Sequence, residues 1–233
     1  MPDRILYDIT RPLVAGHPVW PGDSPCRIEW KARLGPGVMY NQSELRMSPH
    51  TGTHADGPFH MLADGAMIGA APLDAYLGPA RVVDATGRAA LDAAWAAEVL
   101  AAGAPERLLV RTGAWTDAAV FPTSFAALDA ESARMLVDAG LRLFGTDAPS
   151  PDPFDSADVP VHHVLLGAGA GILENVALDG VPPGEYELIA LPLRLVEAEA
   201  SPVRAVLRGL PSPGLADAAP APGLALRTGA PRR

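Results

Sequence analysis

Short apolar runs, each bounded by turns rich in glycine and proline, recur along most of the chain and have the composition of strands. By that pattern strands are predicted at 5–8, 27–30, 43–47, 80–85, 107–111, 141–144, 172–173, 186–190 and 203–207. Two stretches keep a helical period instead. Leu91, Trp95, Val99 and Leu100 recur at helical spacing, and residues 129–139 form a second helix, started by Asp129 and stopped by Gly140. The chain is therefore expected to be mixed α/β, and no internal repeat is visible.

Residues 48–60 fit neither period. Pro49 and Pro58 bracket the segment, and Thr51, Gly52, Thr53 and Gly57 each weaken a helix. Within it, His50, His54, Asp56 and His60 bring three of the chain's six histidines and a carboxylate into eleven positions. The remaining histidines are His17 and the adjacent pair His162 and His163, with Glu174 following the pair. Imidazole nitrogen with carboxylate oxygen suits zinc, manganese or iron(II), and a centre of that kind keeps an open position for water. With one cysteine, Cys26, and no C-x-x-C pair, a closed structural zinc finger is excluded.

Spacing constrains the backbone here. In an extended strand His54 and Asp56 share a face with Cα atoms roughly 7 Å apart, a gap one ion bridges. His50 and His54 in a straight strand stand roughly 13 Å apart, too far for two nitrogens that must each lie about 2 Å from one metal. A bend or bulge at Gly52 is therefore predicted, glycine being the residue there that adopts unusual backbone angles freely. His60 either completes a coordination shell or stands beside it as an acid–base group. His17 and His163 are equally readable as structural histidines. Trp20 and Phe59, and then Trp30, Tyr40 and Met39, are candidates for an apolar pocket or for plain core. Asp147 either lines the site or caps a turn.

Length and composition bound the rest. The 233 residues are 48% hydrophobic, enough for one domain with a sizeable core, assigned to residues 1–210. Residues 211–233 hold five prolines and three glycines with no periodic apolar face and read as a disordered tail, with Leu215, Leu224 and Leu226 the positions able to dock elsewhere. A net charge of −9 argues against nucleic acid or an anionic membrane as partner. The apolar pattern begins at Ile5 with no signal peptide before it, no run is long enough to span a bilayer, and a cytoplasmic protein is expected.

The string from His50 to His60 resembles the H-T-G-x-H-x-D-x-P-x-H signature of the cyclase-like metal-dependent hydrolases. Further segments resemble their bacterial kynurenine formamidase (arylformamidase) branch: 19–23 (VWPGD), 72–79 (PLDAYLGP), 161–166 (VHHVLL), 172–175 (ILEN) and 190–195 (ALPLRL). The likeness covers roughly residues 4 to 210. It implies a swivelling β/β/α fold, a barrel-like mixed sheet flanked by helices, and a homodimer. It implies two divalent ions, usually zinc with manganese as the alternative. His50 and His54 match the ligands of one ion, Asp56 and Glu174 the carboxylates shared by both, and His162 the remaining ligand of the second. His60 matches the general acid/base and Trp20 a substrate-contacting aromatic. The reaction implied is hydrolysis of N-formylkynurenine to kynurenine and formate, a step of tryptophan breakdown.

Three other readings compete. An isatin hydrolase-like enzyme opening a small cyclic amide shares the metal motif. An iron(II) oxygenase built on His54, Asp56 and His162 leaves His50, His60 and Glu174 without roles, and no basic anchor occurs between His162 and Arg194. A non-catalytic metal-binding protein would saturate with metal and turn over no amide.

Overall fold

The structure, a computed structural model, describes residues 6–210, so Ile5 and the expected tail at 211–233 lie outside the described residues. Its strands are β1 (Leu6–Asp8), β2 (Arg27–Ala32), β3 (Gln42–Arg46), β4 (His54–Asp56), β5 (Leu77–Asp84), β6 (Arg107–Arg111), β7 (Leu143–Thr146), β8 (Gly171–Glu174), β9 (Gly184–Ile189), β10 (Ala200–Pro202) and β11 (Val206–Gly209). The α-helices are α1 (Ala93–Ala101), α2 (Ala130–Asp138) and α3 (Pro160–Gly167). Nine strands form one sheet in the order β1-β11-β9-β5-β6-β7-β8-β4-β10, while β2 and β3 pair as a separate hairpin. The central four, β5 to β8, run parallel, and the strands on either side are antiparallel.

Both faces of the parallel centre are covered, which is why β6 reads as an unbroken apolar run rather than an alternating one. Successive side chains go to opposite faces. Leu108, Val110, Phe144 and Ile172 pack with Trp95 of α1, Leu136 of α2 and Val161 and Leu165 of α3. Leu109, Leu143 and Leu173 join Tyr76, Leu188 and Leu207 in a second core on the other face. Asp92 and Asp129 cap the first two helices by accepting the Trp95 and Ser132 amide hydrogens at 3.0 and 2.7 Å.

The sheet curls into a half-barrel, and chain connectivity demands it. β10 and β11 lie seven places apart in strand order, roughly 34 Å across a flat sheet at ordinary strand spacing. Only residues 203–205 join them, and four peptide units reach roughly 14 Å. The ends of the sheet must therefore approach each other. The join is stitched by Val203 N–H donating to Thr53 O at 3.1 Å and Ile9 N–H donating to Ala205 O at 3.0 Å. The barrel-like mixed sheet expected from the sequence is present.

Three local expectations differ from the structure. Residues 160–167 form α3, which the strand and helix patterns left unassigned because its cap comes from Asp152 rather than from an adjacent residue. The strand expected at 141–144 begins at Leu143, since the Leu141 amide still closes α2 by donating to Leu136 O. The strand expected at 203–207 starts only at Val206, as β11, because residues 203–205 are the turn that leads from β10 on the other side of the sheet. No helix of the described residues is long and apolar enough to cross a membrane.

Leu173 is fully buried between Ala55 on β4 and the second core, one residue before Glu174. Leu173→Ala is expected to lower stability by about 2–5 kcal/mol through the cavity it leaves, read as a lowered urea midpoint at unchanged slope.

Candidate metal centre

The antiparallel register of β4 on β8 sets His54 directly opposite Glu174, and Asp56 follows two residues along the same face. All three side chains are buried. The loop before β4 turns back at Gly52, whose φ of +68° lies in the left-handed region. A Cβ there would also sit 2.6 Å from Leu13 Cδ2, so any other residue would have to displace that side chain as well as adopt a strained φ. The predicted break is thus present, and it carries His50 Nδ1 to 3.2 Å from His54 Nε2. His162 arrives from α3, the helix that immediately precedes β8.

The two carboxylates face both ways. Asp56 Oδ1 lies 3.1 Å from His50 Nδ1 and 3.4 Å from His54 Nε2, while its Oδ2 lies 3.7 Å from His162 Nε2. Glu174 Oε2 is 3.2 Å from His54 Nε2, and its Oε1 is 3.2 Å from His162 Nε2. Each carboxylate thus offers one oxygen to the His50/His54 side and one to the His162 side. The far nitrogens are also held. His54 Nδ1 donates to Gly52 O at 2.9 Å, His162 Nδ1 is 2.6 Å from Asp152 Oδ2, and His50 Nε2 is 3.2 Å from Glu199 Oε1. That leaves one nitrogen of each ring aimed inward.

This donor set fits a divalent cation. Both Asp56 oxygens are wholly buried and accept no hydrogen bond, a cost that a bound cation would remove. The inward nitrogens of His50 and His54 face each other at hydrogen-bond distance, so a proton or a cation must stand between them. His54, Asp56 and Glu174 offer ligand atoms within 4.8 Å of one another, as do His50, Asp56 and His60. His60 sits on the turn Pro58–His60 after β4, its ring 4.3 Å from that of His50 and 5.8 Å from that of His162.

A cavity of roughly 280 Å³ opens on the cluster, with the histidines and Glu174 among its lining residues together with Trp20, Phe121, Val159 and Asn175. Trp20 packs 5.6 Å from Phe121 and 4.9 Å from Phe154. Phe59 is 41% exposed and does not line the cavity. Trp30, Met39 and Tyr40 lie exposed on the β2–β3 hairpin. His17 is buried beside Trp115, outside the cluster, and His163 faces solvent on α3. Asp147 ties the ends of β6 and β7 together, accepting hydrogen bonds from Thr112 N–H, Thr112 Oγ1–H and Gly113 N–H.

The Cyclase family model matches residues 7–153, which contain the whole His50–His60 segment and more than half of the chain. The chain belongs to the Cyclase family. A kynurenine formamidase from Paracidovorax citrulli (strain AAC00-1) is 48% identical over 210 residues, 88% of this chain and 97% of that protein. A structure from Bacillus stearothermophilus, described as a predicted metal-dependent hydrolase, matches at 30% identity and TM-score 0.76, covering 88% of this chain and 98% of that one. Isatin hydrolase A from Labrenzia aggregata matches at 26% identity and TM-score 0.77, covering 88% and 94%.

Two acidic residues of this Cyclase-family centre escaped the sequence pattern. Asp152 precedes His162 by ten positions and Glu199 follows His50 by 149, and neither separation has a period that marks contact. Phe121 and Phe154, which pack around Trp20, were missed for the same reason.

The charges leave the metal-free cluster holding protons. Burial alone would lower the His162 pKa, but its hydrogen bonds to Asp152 and Glu174 outweigh burial and push it up to about 10. His54 is likewise raised well above the usual imidazole value despite burial, by Asp56 and then Glu174, while Asp56 is held well below the carboxylate range by His54 and His50. A raised histidine stabilises the metal-free fold fully below its unfolded pKa, and that contribution fades as pH climbs through the folded value. The His162 proton is still in place at pH 7, so a cation must expel at least that one. Zinc binding at pH 7 is therefore expected to release about one to two protons per chain, measured by calorimetry in buffers of different ionisation enthalpy. A binding heat independent of buffer would contradict this protonation.

Proposed function

We propose that this protein hydrolyses N-formylkynurenine to kynurenine and formate. The carrying observation is the pair of buried carboxylates, each presenting one oxygen to either group of histidines, on a cavity whose wall carries Trp20 and Phe121. The substrate comes from the kynurenine formamidase of P. citrulli, at 48% identity across nearly its whole length. Opening of a cyclic amide, as the name isatin hydrolase indicates for the L. aggregata protein, has weaker support at 26% identity.

His50 and His54 would hold one ion and His162 a second, with Asp56 and Glu174 shared. Zinc suits the nitrogen and oxygen donors, and manganese is the alternative. A divalent cation bound here supplies Lewis acidity that activates water near neutral pH and polarises an amide carbonyl. The chain's own residues do the rest. Trp20 would stack on the aryl ring and orient the formamide toward the cluster. His60 is lowered in pKa by burial, against the opposing charge of Asp56, and is therefore neutral at pH 7. In that form it takes the proton of the attacking water and delivers it to the aryl amine nitrogen as the C–N bond breaks. The exposed hairpin, with Ile28, Trp30 and Leu45 on its surface, suits the expected homodimer.

The test is kynurenine release from N-formylkynurenine with zinc present and after EDTA, with isatin in parallel. Rapid zinc-dependent release with little isatin opening is the expected result, and the reverse preference would move the protein to the cyclic-amide branch. His60→Ala should cut kcat by about 10²- to 10⁴-fold with metal retained, whereas Asp56→Ala should lose metal and activity together. Equal metal loss in both variants would make His60 a ligand.

A further inference from the structure

The two sides of the cluster share Asp56 and Glu174; one carries His50 and His54 and the other His162 alone, and the support behind these histidines differs in a way that offsets the single imidazole. Behind His162 stands Asp152, which is 0% exposed. Its Oδ2 lies 2.6 Å from His162 Nδ1 and accepts the His162 amide hydrogen at 3.0 Å, while its Oδ1 accepts the Val161 amide hydrogen at 2.8 Å. One carboxylate therefore anchors the start of α3 and the ring that α3 carries. Among the described residues no lysine or arginine pairs with Asp152, so its charge is answered only through His162 and the helix amides. Behind His54 stands a neutral group, the Gly52 carbonyl. Behind His50 stands Glu199, whose side chain is 36% exposed and whose charge water and salt screen.

We propose that Asp152 is a positioning residue that makes the His162 side the tighter of two cation positions, so that the centre fills in two steps. This rests on the two-ion reading above. Three contributions point the same way. The buried negative charge makes the imidazole a stronger donor and is not screened, whereas Glu199 is. The bonds from one carboxylate to ring and backbone fix the His162 ring before any ion arrives, so little motion is lost on binding. His50, in contrast, lies on the loop preceding β4 and is held only at its partly exposed edge. The His50/His54 side is accordingly the weaker and more exchangeable position.

The test is titration of metal-free full-length protein with zinc against a chromophoric chelator, repeated with cobalt(II) to follow its visible spectrum. Wild type should bind two ions in two resolved steps. Asp152→Asn, which keeps the shape and one acceptor but removes the charge, should weaken the tighter step by about 10- to 100-fold and leave the weaker step within about threefold. Glu199→Gln, at a partly exposed position that the fold tolerates, should leave the tighter step alone and loosen only the weaker. Asp152→Asn that lowers the melting temperature while both metal affinities stay at wild-type values would reduce Asp152 to a helix cap and overturn the proposal. So would Glu199→Gln loosening the tighter step. One ion per chain in wild type, with kynurenine still released, would overturn the two-ion reading while leaving the hydrolase reading standing.

Discussion

Asp56 is a fully buried carboxylate whose two oxygens accept no hydrogen bond, and the surrounding fold is arranged to answer that deficit. An ionised carboxylate left so is among the costlier things a protein interior can contain. The His50/His54 pair stands at one oxygen and His162 at the other, and Glu174 repeats the same two-sided pattern alongside. Without a cation the cluster fills the gap with protons held on histidines whose pKa values are raised. With one, the same nitrogens and oxygens would serve as the ligand set proposed above.

The architecture supplies rigidity where the chemistry needs it. His54, Asp56 and Glu174 belong to paired strands, so the spacing between them is set by strand register rather than by a flexible loop. The curl of the sheet brings residues 199–203 around to β4, and β10 pairs with β4, the strand that carries His54 and Asp56. Glu199 reaches His50 by that route. Two non-glycine residues among those described adopt left-handed backbone angles, Val159 and Asn175. One stands at the start of the helix carrying His162, the other immediately after Glu174, and both line the cavity. Strain of this kind persists where surrounding structure fixes the backbone, and here it flanks two of the candidate ligands.

Much of the site was legible in the sequence because the segment from His50 to His60 is local. Its ligand types, the shared face of His54 and Asp56, and the need for a bend at Gly52 all follow from spacing and stereochemistry. The helix at 129–139 was legible too, since Asp129 and Gly140 are local start and stop signals. What escaped was non-local. Asp152 caps α3 across an intervening loop, and without that cap the run from Pro160 to Gly167 has only a proline start to mark it. The strand expected at 203–207 was placed too early and β10 was not marked at all, because the curl of the sheet makes residues 203–205 a turn between strands at distant places in strand order. Asp147, readable beforehand as a site residue or a turn cap, ties two strand ends together.

The central claim is that these histidines and carboxylates exist to hold divalent cations in the places the side chains define. It is tested most directly by a crystal structure of the zinc-loaded protein with data collected on either side of the zinc absorption edge. Two anomalous peaks are predicted, one among His50, His54 and Asp56 and one among Asp56, His162 and Glu174. Zinc-loaded crystals with no peak within bonding distance of Asp56 would contradict the account.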